Sequence, residues 1–148
     1  MKKEKAVHHI RAFNRLYMPS MHLLGNHYLG SEYSVAEARI FFEIYENEGC
    51  NAAYIAEVMN LDKSYLSRIL KNHMKNGYIR REQSVEDGRC YHLYLTESGT
   101  RRAEEFIRKS DEEIGEIIGA LSDEEYDQLI GALDTAMDLL VKVKKETD

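Results

Sequence analysis

Residues 52–81 read AAYIAEVMNLDKSYLSRILKNHMKNGYIRR, and the spacing of apolar side chains along them decides the fold. Asn51 can cap a first short helix carrying Ile55, Ala56, Val58 and Met59, because an Asn side chain accepts from an unpaired N–H of the first helical turn. The chain turns at Asn60-Leu61, and Asp62 caps a second helix. That helix places Leu66, Ile69, Leu70 and Met74 on one side at steps of three and four. Asn76-Gly77 ends it with a residue free to take a positive φ. A small Ala56 at the crossing and a turn of three or four residues suit two helices that meet steeply. The spacing predicts a helix-turn-helix.

The other face of the second helix is of a different character. Lys63, Ser64, Tyr65, Ser67, Arg68, Lys71 and Asn72 point outward, with no carboxylate after Asp62. With Lys75, Arg80 and Arg81 included, residues 62–81 hold six Lys/Arg against one Asp. Hydroxyls, an amide and cations are groups that donate to phosphates and base edges. The net charge of −6 seems to oppose such a partner. However, residues 1–103 hold 15 Lys/Arg against 12 Asp/Glu, whereas residues 104–148 hold 5 against 14. The acidity belongs to the C-terminal third, and local charge sets the field that a phosphate backbone meets.

Downstream, Tyr78 opens a strand, Glu86-Asp87-Gly88 makes a turn, and Tyr91, Leu93 and Leu95 alternate inward on the returning strand, opposite His92 and Tyr94. Arg89 sits at the hairpin tip, where the Asp87 carboxylate can hold its guanidinium and Gly88 can supply the turn. Upstream, Ser34 and Glu37 form a capping box for a helix with Ala38, Phe41, Phe42 and Tyr45, stopped by Gly49. Before it, Ile10, Phe13, Tyr17, Met21, Leu24 and Tyr28 mark another helical face, which Pro19 should kink or restart and Leu29-Gly30-Ser31 should end. Thr96 can cap a long helix burying Ala103, Phe106, Ile107, Ile114, Ile117, Ile118 and Leu121. A second capping box, Ser122 with Glu125, opens the last helix, with Leu129, Ile130, Leu133, Met137, Leu140 and Val141 on one face. The expected fold is mainly α: a winged helix-turn-helix with a small β-hairpin wing, flanked by long helices, in one domain of 148 residues.

Taken together, these segments resemble the MarR family of winged-helix transcription regulators. The resemblance is carried by the helix-turn-helix at 52–81 and by the wing DGRCYHLYLTESG. The wing fits the pattern D-x-R…L-x-L-T-x-x-G at Asp87, Arg89, Leu93, Leu95, Thr96 and Gly99. The flanking helices fit as well, so the likeness covers nearly the whole chain. The N-terminal half also resembles the regulatory half of MarR–GNAT acetyltransferase fusions, although no acetyltransferase domain follows.

The resemblance implies residues 34–100 as the DNA-binding core and residues 1–30 and 100–146 as dimerisation helices. A two-fold homodimer would set its recognition helices about 34 Å apart, on successive major grooves of a near-palindromic double-stranded operator. Lys63, Ser64, Tyr65, Ser67, Arg68 and Lys71 would read or brace the major groove. Arg89, oriented by Asp87, would enter the minor groove, and Lys75, Arg80 and Arg81 would contact phosphates. The expected role is a ligand-responsive repressor. Its small-molecule effector would bind between the N-terminal helix, the helix at 34–48 and the helix after Thr96, against Arg15, Tyr17, Phe41 and Tyr45.

Other classes fit less well. Glu104/Glu105 and Glu124/Glu125 lack a partnering His or Ser, and no phosphate loop or nucleophile elbow occurs, so the chain does not read as an enzyme and implies no cofactor. His8 and His9 are adjacent and cannot face one metal from a helix, and no His or Cys follows His92, so no metal site is expected. Cys50 and Cys90 are too few for a disulfide framework. Cys50, just before a helix start, leaves a redox-responsive regulator as an alternative, as is a winged-helix protein-interaction module without DNA binding. No apolar run is long enough to span a bilayer and no signal peptide is seen, which points to the cytoplasm and away from membranes.

Overall fold

The computed structural model describes residues 1–25 and 27–147. Helix α1 spans Lys2–Ser20, a short 3-10 turn follows at Tyr28–Gly30, and α2 spans Val35–Glu46. The short pair is α3, Ala52–Met59, and α4, Lys63–Lys75. Strands β1, Ile79–Gln83, and β2, Tyr91–Leu95, form the hairpin, followed by α5, Glu97–Ile117, and α6, Asp123–Thr147. The fold is thus mainly helical with one two-stranded antiparallel sheet. No helix among the described residues is long and apolar enough to cross a membrane.

The helix starts are where the capping residues put them. Ser34 Oγ accepts from Glu37 N at 3.3 Å, while Glu37 Oε2 accepts from Ser34 N at 3.3 Å. Asn51 Oδ1 accepts from Tyr54 N at 2.8 Å, and Asp62 Oδ2 from Tyr65 N at 3.1 Å. The turn between α3 and α4 is made by Asn60 in the left-handed region, φ 51°, which Asn tolerates better than most residues. Gly77, φ 81°, ends the α4 segment. In the hairpin, Ile79 pairs with Leu95 and Gln83 with Tyr91. Gly49 N donates to Leu93 O at 2.9 Å and Leu93 N to Cys50 O at 2.8 Å, which ties the end of the α2 segment to β2.

The chain forms two compact units, Met1–Ile114 and Gly115–Asp148. The first contains two apolar clusters. One joins Ile40 and Ile44 of α2, Ile55 and Ala56 of α3, Leu66, Ile69 and Leu70 of α4, and Ile79 and Leu93 of the hairpin. The other joins Tyr33, Ala38, Phe41, Ala103 and Phe106. Helix α2 therefore buries two sides. Ile40 and Ile44, outside the predicted face, are core, whereas Phe42 and Tyr45 are exposed. Tyr91, expected inward, is also exposed, because the core under the sheet ends at Leu93.

Two boundaries differ from expectation at the N-terminus. Helix α1 stops at Ser20, one residue after Pro19, which sits in its last turn. Leu29-Gly30-Ser31 does not end that helix but belongs to the separate 3-10 turn. His22 takes a left-handed backbone, and its ring nitrogen meets the carboxylate of Glu113 on α5. Ile10, Phe13, Leu16 and Leu24 remain exposed in the single chain.

In the second unit, Ser122 and Glu125 form the expected reciprocal box at the start of α6, at 3.2 and 3.0 Å. Tyr126 Oη donates to Ile118 O at 3.0 Å. The apolar face of α6 exists but is uncovered: Ile130, Met137, Leu140 and Val141 are all more than half exposed.

Candidate nucleic-acid interface

The amphipathic α4 divides by face as its spacing requires. Leu66, Ile69 and Leu70 are buried, while Lys63, Ser64, Tyr65, Ser67, Arg68, Lys71 and Lys75 are exposed. Between α3, α4 and the hairpin runs a groove of about 390 Å³. Lys63, Ser67, Lys71, Arg81, Asp87 and Arg89 line it, above a floor that includes Leu66, Leu70, Met74 and Leu93. The folding of β1–β2 thus brings Arg89 and Arg81 to the polar face of α4.

The two adjacent arginines of β1 part company, since successive side chains of a strand point to opposite faces. Arg81 stays on the groove side, its guanidinium carbon 4.2 Å from the centre of the Tyr91 ring. Arg80 lies on the opposite face, 4.4 Å over Tyr94 and 2.5 Å from Glu82 Oε1. Arg80 is thus turned away from the groove that Arg81 and Arg89 line.

The tip also differs in detail. Asp87 does not hold the Arg89 guanidinium; its Oδ1 accepts from the Arg89 backbone N–H at 3.0 Å. A short side chain reaches its neighbour's main chain more readily than a solvated guanidinium that is free to extend. Gly88 is not among the glycines with positive φ. Its missing Cβ instead leaves room for the Gln83 amide, whose Nε2 would stand 3.2 Å from that carbon. Sequence reasoning passed over Gln83, which donates to Gly88 O at 2.5 Å.

Behind α4 the structure reveals a second group that sequence reasoning missed. His73 is fully buried against Tyr33 and Phe41, with ring centroids 5.2 and 4.8 Å away. It continues the stripe of Leu66, Ile69 and Leu70, and this spacing could have placed it inside. Burial lowers its pKa, an effect opposed by Glu37. Beside it, Arg102 of α5 donates to Tyr78 Oη at 2.8 Å and lies over the Tyr78 and Tyr33 rings at 4.4 and 5.2 Å. Burial pushes the Tyr33 phenol up to about 12.

Cys50 is half-buried, and burial together with the Glu43 carboxylate raises its thiol pKa. That direction is opposite to activation by a helix N-terminus and disfavours the thiolate that oxidation requires. A separate cleft of about 310 Å³ lies between Tyr28, α2 and α5, lined by Val35, Ala38, Arg39, Phe42, Phe106 and Ser110 among others. Of the pocket residues expected from sequence, Phe41 is wholly in the core and Tyr17 is stacked on Phe13 along α1. Arg15 and Tyr45 are exposed, and none of the four lines this cleft.

The class defined by this arrangement is the winged helix-turn-helix. Residues 34–91 match the family model of MarR, the family that the helix-turn-helix and wing residues resemble. Over 61 residues, 40% of the chain, it is 33% identical to the uncharacterized protein MJ1503 of Methanocaldococcus jannaschii, and the match spans 46% of that relative. Wild-type MarR from E. coli in its apo form superimposes with a TM-score of 0.73 at 20% identity, over 85% of this chain and 94% of that one. FabT of Streptococcus pneumoniae, solved in complex with DNA, gives 0.70 at 21% identity, over 97% and 99% of the two chains. At such identities these likenesses establish the fold.

Proposed function

We propose that the chain is a transcription regulator that binds double-stranded DNA, and not an enzyme. The observation that carries this reading is the convergence on one groove of Lys63, Ser67 and Lys71 from α4 with Arg81 and Arg89 from the hairpin. Ser64, Tyr65 and Arg68, exposed on the same helix, complete a face without a carboxylate after Asp62. Helix α4 enters the major groove, Arg89 the neighbouring minor groove, and Lys75 contacts the backbone. The match of 34–91 to the MarR family model and the likeness to FabT, solved with DNA, support the assignment.

In the same reading the chain acts as a homodimer on a near-palindromic operator, because α1 and α6 each expose more apolar surface than a helix facing water needs. It represses until a small molecule enters the cleft beside Tyr28, Arg39 and Phe42. Selection of bound fragments from sheared genomic DNA, followed by gel shift at low salt, tests this reading. Recovery of fragments sharing a palindromic sequence is expected. Retention of no fragment leaves a protein-interaction module in its place.

A further inference from the structure

We propose that Gln83 is a positioning residue for Arg89, fixing the peptide plane from which the wing arginine projects; this rests on the DNA-binding reading above. Gln83 is the last residue of β1 and pairs with Tyr91 across the hairpin. The loop beyond it is closed by Ser84 N to Cys90 O at 2.8 Å and Cys90 N to Asp87 O at 2.9 Å. Inside the loop, Asp87 N donates to Ser84 Oγ at 3.3 Å.

The peptide joining Gly88 to Arg89 is held at both ends. Its carbonyl, that of Gly88, accepts from Gln83 Nε2 at 2.5 Å. Its N–H, that of Arg89, donates to Asp87 Oδ1 at 3.0 Å. A peptide unit is planar, so two anchors on opposite edges set its rotation, and that rotation sets the direction in which the Arg89 side chain leaves the backbone. Asp87 alone leaves the plane free to turn about a single anchor.

Glycine at 88 completes the device. A Cβ there would stand 3.2 Å from Gln83 Nε2, so the amide would have to give by a few tenths of an ångström. The side chain at 89 is itself exposed, so nothing in the core orients it. Gln83 thus acts through Arg89 without reaching nucleic acid, and the loop meets DNA already shaped, which spares ordering cost on binding.

The test is a double-mutant cycle with Gln83→Met, which keeps length and removes the donor, and Arg89→Ala. Affinity is read by fluorescence anisotropy on a duplex recovered from the genomic selection, and amide exchange is read on the free protein. Gln83→Met is expected to weaken binding about three- to tenfold in the wild-type background, the scale of one neutral hydrogen bond. It should change nothing in the Arg89→Ala background, and it should speed exchange at the Arg89 amide while leaving Leu93 protected. An equal loss in both backgrounds, or no loss in the wild type, overturns the positioning role while the DNA reading stands. Wild-type protein that retains no duplex overturns both.

Discussion

His73 Nε2 lies 3.9 Å from Glu37 Oε1, too far for a hydrogen bond, although the ring is fully buried. Neither ring nitrogen has a partner among the described residues. Burial pushes the imidazole below its ordinary 6.5. Glu37 on α2 and Glu32 before Tyr33 pull the other way, while Arg102 on α5 adds to the fall. The folded chain therefore keeps a neutral ring where the unfolded chain takes up a proton. Stability is fully present above the unfolded value and declines as pH falls toward the lowered one. Between about pH 7 and about pH 5, the denaturation midpoint of the wild type should fall more steeply than that of His73→Phe. Equal slopes would remove His73 as the source.

Gly99 packs its first-turn backbone directly on the hairpin root. A Cβ at this position would stand 2.0 Å from the Tyr78 carbonyl oxygen, which is main chain and cannot step aside. Gly99→Ala should cost about 3 kcal/mol or more in urea denaturation, at the upper end of overpacking effects. A loss below about 0.5 kcal/mol would mean that α5 slides freely over Tyr78.

Arg89→Ala should weaken binding to a selected duplex by about 1–3 kcal/mol with an unchanged melting temperature, since the side chain is exposed. A matching loss of stability would make the residue structural. Lys71→Ala should lower the slope of log affinity against log salt by about one, the signature of one lost phosphate contact. An unchanged slope takes Lys71 off that surface.

Under the proposed homodimer, a second copy of the chain covers the exposed apolar face of α6. Leu140 is 59% exposed and Met137 55%. Met137→Glu with Leu140→Glu should give a monomer in sedimentation equilibrium, with helical circular dichroism retained. A wild-type chain that sediments as a monomer at micromolar concentration ends the dimer proposal.

Local chemistry is what made much of this fold legible. Ser34, Asn51, Asp62 and Ser122 each cap the helix that their sequence context implied, because a cap involves only a few consecutive residues. The outward face of α4 was readable for the same reason. What escaped the sequence depends on contacts between distant segments. Ile40 and Ile44 became core only because α2 is clasped from two sides. Arg102 meets Tyr33 and Tyr78 across long stretches of chain. The Asp87–Arg89 motif was visible, but which atoms it joins was not, since a carboxylate two residues away can reach either the guanidinium or the main chain.

The two ends of the hairpin are held by different means. At the root, Tyr78 O accepts from Thr96 N at 3.0 Å, and Tyr78 Oη accepts from Arg102. At the tip, 86–89, the bonds run to Ser84, Asp87 and Gln83 of the hairpin itself. Such a ribbon is bolted at its root to the first turns of α5 and tied midway, through Leu93, to Gly49 and Cys50, so that its outer end overhangs. The four residues from Leu93 to Arg89 span about 13 Å, so a tilt of about five degrees at that tie carries Arg89 sideways by about an ångström. A shift of Gly49 and Cys50, where the α2 segment ends, would therefore be felt at the tip.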